Sequence, residues 1–382
     1  MFILMISRGI PTASEPQWGC FEKDQAEALA ALGHKVVVAS VDSRFRLTYR
    51  HLGITHQIIN GIDYYNSFLI PGALTAFLGK AFSLQIKTAQ FNRIFSRIMQ
   101  KHGRPDVIFG QFFFNTVLGV KVHRKYNIPL VGIEHAGRFN DNTLDPKTRY
   151  EAGITYKNTD AVIAVSSNLQ KALKRHFGIE ADVVHNTFGP EFRYAPYYND
   201  DGICHLISVG SLLHGKGFDL LVKALADING QMPKWDLQII GEGDFRPQLE
   251  QLITEHRLQD KISLPGRRNK QEIAAVLQSS DCFILPSRGE NFSVAVLEAL
   301  ACGCPVIASD CGDIKACITD LNGMIFPVED TVALEQCLLH FFEHRQDYDR
   351  EAIAADCHAR FSSEVIAKQL TEIFNQVLST GK

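Results

Sequence analysis

Two glutamates, Glu290 and Glu298, lie eight residues apart in a segment that could hold the hydroxyl groups of a ligand. The segment follows the strand-like run Cys282–Leu285 and precedes the run Pro305–Ala308. Eight residues of helix advance about 12 Å, roughly the span from a sugar across a diphosphate to a ribose. The spacing therefore predicts one carboxylate on the sugar and one on the ribose diol. The alternative for Glu290 is a helix-entry carboxylate that the helix dipole stabilises. Glu298 lies among apolar residues, where a carboxylate needs hydrogen-bond donors.

A second segment, Ser208–Leu225, predicts a phosphate-binding loop. A strand ends at Val209, a glycine-containing loop follows, and a helix begins near Phe218. Free N–H groups and the positive end of the helix dipole favour phosphate at such a helix start. Lys216 adds a positive charge there, although it could also be a surface lysine. The loop is not a Walker A motif, because its spacing and the following Ser or Thr are missing.

Short apolar runs alternate with helical patterns in both halves of the chain, which predicts the elements that position these loops. The predicted strands are Phe2–Ile6, Lys35–Val41, Asp106–Phe109, Leu130–Glu134, Ala161–Val165, His205–Val209, Asp236–Ile240, Ile262–Leu264, Cys282–Leu285, Pro305–Ala308 and Met324–Phe326. Runs rich in Val and Ile without polar alternation are typical of parallel strands that are buried on both faces.

A polar stretch at 186–202 reads as a linker between the two series of strands. We therefore predict an α/β fold with two doubly wound, Rossmann-like parallel-sheet domains, 1–190 and 202–360, facing across a cleft. The C-terminal helix 362–382 is expected to pack back on the first domain. Ligands of such sheets bind at the carboxyl ends of the strands, so the cleft is the expected site.

The composition restricts the classes of partner. The net charge of -3 argues against a nucleic-acid partner, and the odd number of cysteines, nine, favours a reducing, cytoplasmic compartment. The apolar run at the start is too short for a signal sequence, and no later run reaches membrane-spanning length. Cys302 and Cys304 lack matching metal ligands, and Asp347 and Asp349 lie in a charged helical stretch. No metal or cofactor is predicted.

Several motifs together carry a resemblance to a known family. The two glutamates follow "LPS" and precede "ALACGCPVIAS", which resembles the retaining glycosyltransferases of the GT-B fold, family 4. "WGCFEKDQAEALAALGHKVVVAS" is similar to the first loop, helix and second strand of that family, and "VGSLLHGKG" to its phosphate loop. "LPGRRNKQEIAAVLQSSDCFILPS" resembles its nucleotide-binding strand and next helix, and "RFSSEVIAKQLTEIFNQVL" its closing helix. These motifs occur in the order of the family and cover nearly the whole chain.

The resemblance implies roles for the residues that match the donor-binding motif. Glu290 would contact hydroxyls of the donor sugar, and the backbone amides of Asn291 and Phe292 would lie near the diphosphate. Glu298 would bind the ribose. Lys216 would neutralise the leaving diphosphate without a divalent metal.

Three further positions match, and three depart from the family pattern. Gly19 would allow the backbone to approach the phosphates, the backbone at Arg267 would hold the base, and His135 would face the donor sugar. Ser211 replaces the usual arginine of the phosphate loop, so either Arg267, Arg268 or His214 would help stabilise the diphosphate or its stabilisation would be weaker. The glycine-rich sequence after Glu290 is replaced by residues 291–293, which end in Ser293. The usual double glycine after the later strand is replaced by residues 311–313.

The motifs predict a metal-independent hexosyltransferase that moves a sugar from a UDP- or GDP-linked donor to a glycan or lipid-linked acceptor. Surface polysaccharide or glycolipid biosynthesis is the expected process. One alternative is a nucleotide-sugar epimerase or hydrolase of the same fold. Another is a non-catalytic, two-lobed small-molecule binding protein.

The tract 64–105 contains no acidic residue but is rich in basic and large apolar ones. Its basic residues are Lys80, Lys87, Arg93, Arg97, Lys101 and Arg104, and its apolar residues include Leu74, Phe77, Leu78, Phe91, Ile94, Phe95 and Ile98. Such a composition predicts contact with an anionic membrane surface, here the inner face of the membrane. The alternative is a helix that faces the core and has a solvated basic face.

Overall fold

The computed structural model describes residues 1–11, 18–44, 53–69, 80–197 and 201–380. Two compact units make up the chain. The first runs to His185 and includes the last helix, which begins at Ser363, and the second is Asn186–Ser362.

An eight-stranded sheet, in the order β3-β4-β2-β1-β5-β6-β7-β8, forms the centre of the first unit. Its strands are β1 (Phe2–Ser7), β2 (Lys35–Asp42), β3 (Gly53–Ile59), β4 (Ile62–Phe68), β5 (Val107–Gln111), β6 (Leu130–Glu134), β7 (Ala161–Ala164) and β8 (Asp182–Val183). All neighbouring pairs are parallel except β3 and β4. Strands β1, β5 and β6 are buried along their whole length, as expected for strands with helices on both faces.

A six-stranded, fully parallel sheet forms the centre of the second unit, in the order β11-β10-β9-β12-β13-β14. Its strands are β9 (Cys204–Val209), β10 (Trp235–Ile240), β11 (Ile262–Gly266), β12 (Cys282–Leu285), β13 (Val306–Ser309) and β14 (Gly323–Phe326). This is the strand order of a Rossmann sheet, and the order reverses between β9 and β12. The predicted fold class, α/β with two Rossmann-like parallel-sheet units, is confirmed.

Twelve α-helices lie within the described residues. They are α1 (Cys20–Ala31), α2 (Lys80–His102), α3 (Phe113–Tyr126), α4 (Pro146–Tyr156), α5 (Ser167–Phe177), α6 (Phe218–Asp227), α7 (Arg246–Glu255), α8 (Lys270–Gln278), α9 (Val294–Ala301), α10 (Thr331–His344), α11 (Arg350–Phe361) and α12 (Ser363–Thr380). None of them is both long enough and apolar enough to span a membrane.

Helix α12 packs on helix α1 within the first unit. The ring of Phe374 lies 5.1 Å from that of Phe109, and Nε2 of His34 lies 2.9 Å from the hydroxyl of Thr371. The last helix is therefore part of the first unit, although it follows the second unit in the sequence.

Helix α2 explains much of the apolar character of the acid-free tract. Phe91, Ile94, Phe95 and Ile98 are at most 1% exposed and pack in the core beneath the first sheet. The part of the membrane prediction that relied on these side chains is therefore wrong, because they cover the sheet. Arg93, Arg97 and Lys101 are exposed, as the alternative predicted, whereas Lys87 is only partly exposed. Leu74, Phe77 and Leu78 lie outside the described residues.

Candidate functional site

Lys216 and Glu290 form an ion pair at the switch point of the second sheet. Lys216 follows β9 and Glu290 follows β12, two strands that are neighbours in the sheet. Nζ of Lys216 lies 2.5 Å from Oε1 of Glu290, and the side chains are 28% and 13% exposed. The hydroxyl of Ser287 donates to the same oxygen at 2.8 Å. The sequence-predicted cation and the first predicted carboxylate are thus brought together.

Gly217 allows the predicted phosphate-binding loop to pack directly on the loop after β12. It has a φ of 67°, and a Cβ there would lie 1.9 Å from the carbonyl oxygen of Pro286. Only glycine fits this position without displacing the backbone. Helix α6 therefore begins directly beside the loop that carries Glu290.

Arg288 clamps the same two loops together and was not predicted from the sequence. Its backbone N–H donates to the carbonyl of Gly215 at 2.8 Å, and its guanidinium donates to the carbonyl of His214 at 2.6 Å. The guanidinium also forms a bidentate pair with Asp219 at 2.8 Å and a bond to Glu329 at 2.7 Å. The hydrogen bond with Asp219 is the main cause that raises the pKa of Arg288. This clamp fixes Lys216 opposite Glu290.

The interval between the two glutamates is only partly helical, which corrects the geometry assumed from the sequence. Helix α9 begins at Val294, so the residues from Glu290 to Ser293 form a loop and the helical rise applies only from Val294 to Glu298. The side chain of Phe292 is 6% exposed and packs against Phe361. Glu298 is partly exposed on α9 rather than fully buried.

The turn after Glu290 is supported by the segment that replaces the usual double glycine. A Cβ on Gly312 would lie 2.5 Å from the carbonyl oxygen of Glu290 and 2.6 Å from that of Asn291. The backbone N–H of Asp313 donates to the carbonyl of Asn291 at 3.0 Å. A single glycine therefore provides the close approach in this chain.

Ser211 and Arg267 lie at the carboxyl ends of β9 and β11, on either side of β10. The side chains of Ser211, Arg267 and Arg268 are exposed, and Arg268 lies 3.4 Å from the carboxylate of Glu272. This edge of the sheet is therefore open to solvent at these three residues.

His135 lies at the carboxyl end of β6 in the first unit. Its Nε2 is 2.9 Å from Oε1 of Gln111, and the side-chain amide of Gln111 donates to Gln25 at 2.7 Å. The ring centroid lies 4.8 Å from that of Phe112. A hydrogen-bonded pair of buried glutamines, Gln111 and Gln25, therefore holds the imidazole in place.

Gly19 packs against the backbone of the loop after β1. Its φ is 78°, and a Cβ would lie 2.4 Å from the carbonyl oxygen of Gly9. The indole of the preceding Trp18 donates to the carbonyl of Arg8 at 3.0 Å. The structure therefore gives Gly19 a packing requirement in addition to the phosphate approach expected from the sequence.

A ladder of guanidinium groups and rings runs along the carboxyl edge of the first sheet. The guanidinium carbon of Arg44 lies 3.2 Å from the centroid of the Trp18 ring. The guanidinium carbon of Arg8 lies 5.0 Å from the same ring and 4.4 Å from the ring of Phe112. The ring of Phe112 in turn contacts His135. Its members follow the adjacent strands β2, β1, β5 and β6. Each contact between a guanidinium group and an aromatic ring contributes about 0.5–2 kcal/mol.

Both arginines of this ladder are paired with carboxylates. Arg8 forms a bidentate pair with the buried Glu22 at 2.6 and 3.0 Å, and Arg44 binds Asp42 in the same way. This arrangement could not be predicted from the sequence, because its members come from separate loops.

Glu134, the residue before His135, is 1% exposed and accepts four hydrogen bonds. Burial raises the pKa of Glu134, against the effect of these donors, which lower it. Phe112, on the neighbouring strand end, has φ 61° and ψ 147°, a region adopted almost only by glycine. Such a conformation costs on the order of 1–3 kcal/mol.

Within the described ranges, no group of three or more His, Cys, Asp or Glu residues is arranged to hold a metal ion. Asp347 and Asp349 are exposed, and Asp349 caps α11 by accepting from the N–H of Ala352. Cys302 and Cys304 are fully buried beside the turn between α9 and β13.

Two family models match the chain in succession. Glycosyltransferase Family 4 matches residues 23–191, and Glycosyl transferases group 1 matches residues 201–355. The chain belongs to the family 4 glycosyltransferases of the GT-B fold. The family predicted from the motifs is thus confirmed.

Similar sequences include a D-inositol 3-phosphate glycosyltransferase of Pseudarthrobacter chlorophenolicus, 29% identical over 58% of this chain and 58% of that protein. An amylovoran biosynthesis glycosyltransferase of Erwinia amylovora is 30% identical over 45% of this chain and 44% of that protein. The chain spans less than two thirds of the length of these relatives.

Solved structures are similar to this chain over nearly its whole length. Sucrose-phosphate synthase from Thermosynechococcus elongatus has a TM-score of 0.78 at 20% identity, covering 99% of both chains. HepE of Anabaena, solved in complex with UDP-glucose, has a TM-score of 0.71 at 18% identity, covering 98% of this chain and 100% of that one. At these identities the likeness shows the GT-B fold.

Proposed function

We propose that this family 4 glycosyltransferase moves a sugar from a nucleoside-diphosphate sugar to a glycan or lipid-linked acceptor. The observation that carries the proposal is the Lys216–Glu290 pair at the switch point, beside the start of α6. A cation and a helix N-terminus suit a diphosphate, and a carboxylate within the same few ångströms suits the hydroxyls of the attached sugar. The complex of HepE with UDP-glucose supports a UDP-linked donor. A GDP-linked donor is the alternative.

In the proposed reaction, the bond from the anomeric carbon of the sugar to the diphosphate breaks as an acceptor hydroxyl forms a new bond to that carbon. The new bond forms on the same face, so that the configuration is retained, and a diphosphate oxygen takes the hydroxyl proton. Lys216 stabilises the negative charge that develops on the diphosphate, and Glu290 orients the sugar through its hydroxyls. Since Lys216 supplies the positive charge, we propose that no divalent metal is required.

The other predicted residues have supporting roles in this proposal. The backbone of residues 291–293 lies near the diphosphate, Glu298 accepts from the ribose hydroxyls, and the backbone at Arg267 holds the base. We propose that Gly19 allows the backbone to approach the phosphates and that His135 faces the donor sugar. The exposed phosphate loop at Ser211 lacks the usual arginine, so Lys216 carries more of the charge stabilisation.

We also propose that the protein is cytoplasmic and contacts the anionic inner face of a membrane through the basic face of α2. Arg93 and Arg97 on α2 are exposed, as are Lys121, Arg124 and Lys125 on α3. Arg104, just after α2, donates to the carbonyls of Tyr126 and Asn127, at the end of α3. This face gives a lipid-linked acceptor a place close to the enzyme, and it relies on charge rather than on inserted apolar side chains.

A thermal-shift panel of UDP, GDP, ADP and their sugars, followed by an assay for diphosphate release, tests the proposal. A ligand that binds only the folded protein raises its melting temperature. A transferase releases nucleoside diphosphate faster when acceptor is present. An epimerase would form a new sugar nucleotide, a hydrolase would release free sugar regardless of acceptor, and a binding protein would release nothing.

A further inference from the structure

The carboxylate of Glu134 joins two neighbouring strand ends in the first unit. Its Oε1 accepts the backbone N–H groups of His135 and Ala136 at 2.9 and 2.8 Å. Its Oε2 accepts the backbone N–H of Phe113 at 2.9 Å and the hydroxyl of Tyr156 at 3.0 Å. One oxygen therefore holds the turn after β6, and the other holds the turn after β5.

The turn after β5 needs such support because Phe112 adopts a backbone conformation that residues other than glycine avoid. Its own N–H donates to the carbonyl of Ile133 at 2.8 Å, and the next N–H, that of Phe113, donates to Glu134. A conformation of this kind persists only where the surrounding bonds fix it. Thr155 on α4 adds a further bond, from its hydroxyl to the carbonyl of Phe113 at 3.0 Å.

These two turns carry the two rings that contact each other at the sheet edge. The centroids of Phe112 and His135 are 4.8 Å apart, and Phe112 also packs against the guanidinium of Arg8. The backbone of His135, the side chain of Gln111 and the rings of Phe21 and Phe112 therefore all contribute to the position of the imidazole. Glu134 fixes the first of these directly and the last through Phe113.

We infer that Glu134 is a positioning residue, whose buried carboxylate holds the Phe112 and His135 rings in the arrangement that the transfer reaction requires. The catalytic part of this inference rests on the proposed function. The placement of the imidazole does not, and it can be measured without turnover. The competing interpretation is that Glu134 only caps the start of α3 and stabilises the fold.

The main test is Glu134→Gln in the chain of 382 residues. The carboxamide keeps the size but places an NH₂ group against two of the four donors, so the two turns should separate. Tyr156→Phe is a milder variant that removes one donor and keeps the carboxylate. Asp160→Asn is the matched control, because Asp160 accepts the N–H of Leu130 at the opposite end of the same strand.

The first readout is the ¹⁵N and ¹H NMR signals of the His135 imidazole, assigned with His135→Gln. We expect Glu134→Gln to shift these signals strongly, Tyr156→Phe to shift them slightly, and Asp160→Asn to leave them unchanged. Unchanged signals in a folded Glu134→Gln protein would overturn the inference. If Glu134→Gln does not fold, unchanged signals in Tyr156→Phe would overturn it equally.

The second readout separates catalysis from donor binding. Nucleoside diphosphate release is measured from UDP-glucose, GDP-mannose and ADP-glucose with water as acceptor, and the Kd of the matching diphosphate by calorimetry. A small displacement of a catalytic group can cost about a hundredfold in rate, so kcat should fall about ten- to a hundredfold. The Kd should stay within about twofold, because Lys216 and residues 291–293, which are proposed to bind the diphosphate, lie in the second unit.

A parallel loss of kcat and diphosphate affinity would show a general structural defect and contradict the positioning role. Wild-type protein that releases no diphosphate from any of the three donors, and binds none of them, would refute the proposed function. The NMR comparison would still decide whether Glu134 positions the imidazole.

Discussion

The guanidinium of Arg288 and the carboxylate of Asp219 form a bidentate pair, with both distances at 2.8 Å, between the loop after β12 and the first turn of α6. Both side chains are largely buried, at 16% and 13% exposure. Both residues lie close to Lys216 and Glu290 in the two predicted segments, but neither was predicted to be a site residue. The pair therefore connects the two backbone segments that carry Lys216 and Glu290.

Replacing Arg288 by lysine should therefore damage turnover although the charge is kept. Lysine cannot form the paired bonds of a guanidinium, and hydrogen bonds to charged groups contribute about 1.5–3 kcal/mol each. We expect kcat to fall about tenfold or more in Arg288→Lys and in Asp219→Asn, measured as diphosphate release. The control is Arg360→Lys, because Arg360 pairs with Asp356 on α11. Unchanged kcat in both site variants would show that the clamp does not set the position of Lys216.

Lys216→Ala should lower kcat by more than it raises the donor KM. The charge on the diphosphate grows as the bond breaks, so the ammonium stabilises the transition state more than the bound donor. Lys223→Ala on the exposed face of α6 is the control for removing a lysine. A change in KM alone would mean that Lys216 binds the donor without assisting departure. Activity should also survive EDTA, and a loss that Mg²⁺ restores would contradict the metal-free mechanism.

Glu298→Gln should weaken donor binding while the protein remains folded. If the carboxylate accepts both ribose hydroxyls, loss of its charge should cost about 1.5–3 kcal/mol, or roughly tenfold or more in Kd. Isothermal titration calorimetry with the diphosphate that binds in the thermal-shift panel measures the change. Glu343→Gln, at an exposed position of α10, should leave the Kd unaltered. Equal affinities for wild type and Glu298→Gln would remove Glu298 from the site.

The sequence predicted the central strands well because they are apolar on both faces. It missed β4, whose polar residues interrupt the apolar pattern although they are buried. The hydroxyl of Ser40 donates to Asn66 at 2.5 Å, and the amide of Gln90 donates to Ser67 at 2.6 Å. These partners lie in other elements, so no local pattern could show that the polar side chains would be satisfied inside the protein.

The site shows the same division between local and distant information. Lys216 and Glu290 could be found because each stands in a loop with a recognisable strand before it and helix after it. Arg288 and Glu134 could not, since their roles depend on partners from other elements, such as Asp219 and Phe113. The helical spacing assumed between Glu290 and Glu298 was wrong because the loop residues before Val294 are not helical.

His205 should make the stability of the second unit depend on pH. Burial lowers the pKa of this imidazole, but hydrogen bonds to Asp236 and Asp201 outweigh burial and raise the pKa above 6.5. Because the folded pKa is the higher one, the stabilisation is complete below about pH 6 and is lost as the pH rises through the folded value. Urea unfolding should show a wild-type advantage over His205→Gln that shrinks between about pH 6 and 8. A difference that is constant or grows over this range would contradict this assignment.

The exposed basic face of α2 should bind anionic vesicles by charge alone. Arg93 and Arg97 are exposed while the apolar side chains of the helix are buried in the core, so binding should need no insertion. We expect co-sedimentation with phosphatidylglycerol-containing liposomes at low salt and release at high salt, since screening weakens each surface contact. Replacing both arginines by glutamate should abolish binding at unchanged melting temperature.

The matched control replaces the exposed Arg149 and Lys171 by glutamate, which alters the net charge equally on helices α4 and α5. Equal loss of binding in the control would mean that net charge rather than this face attracts the vesicles. Absence of binding by the wild type at low salt would refute the membrane contact and favour an acceptor that is free in solution.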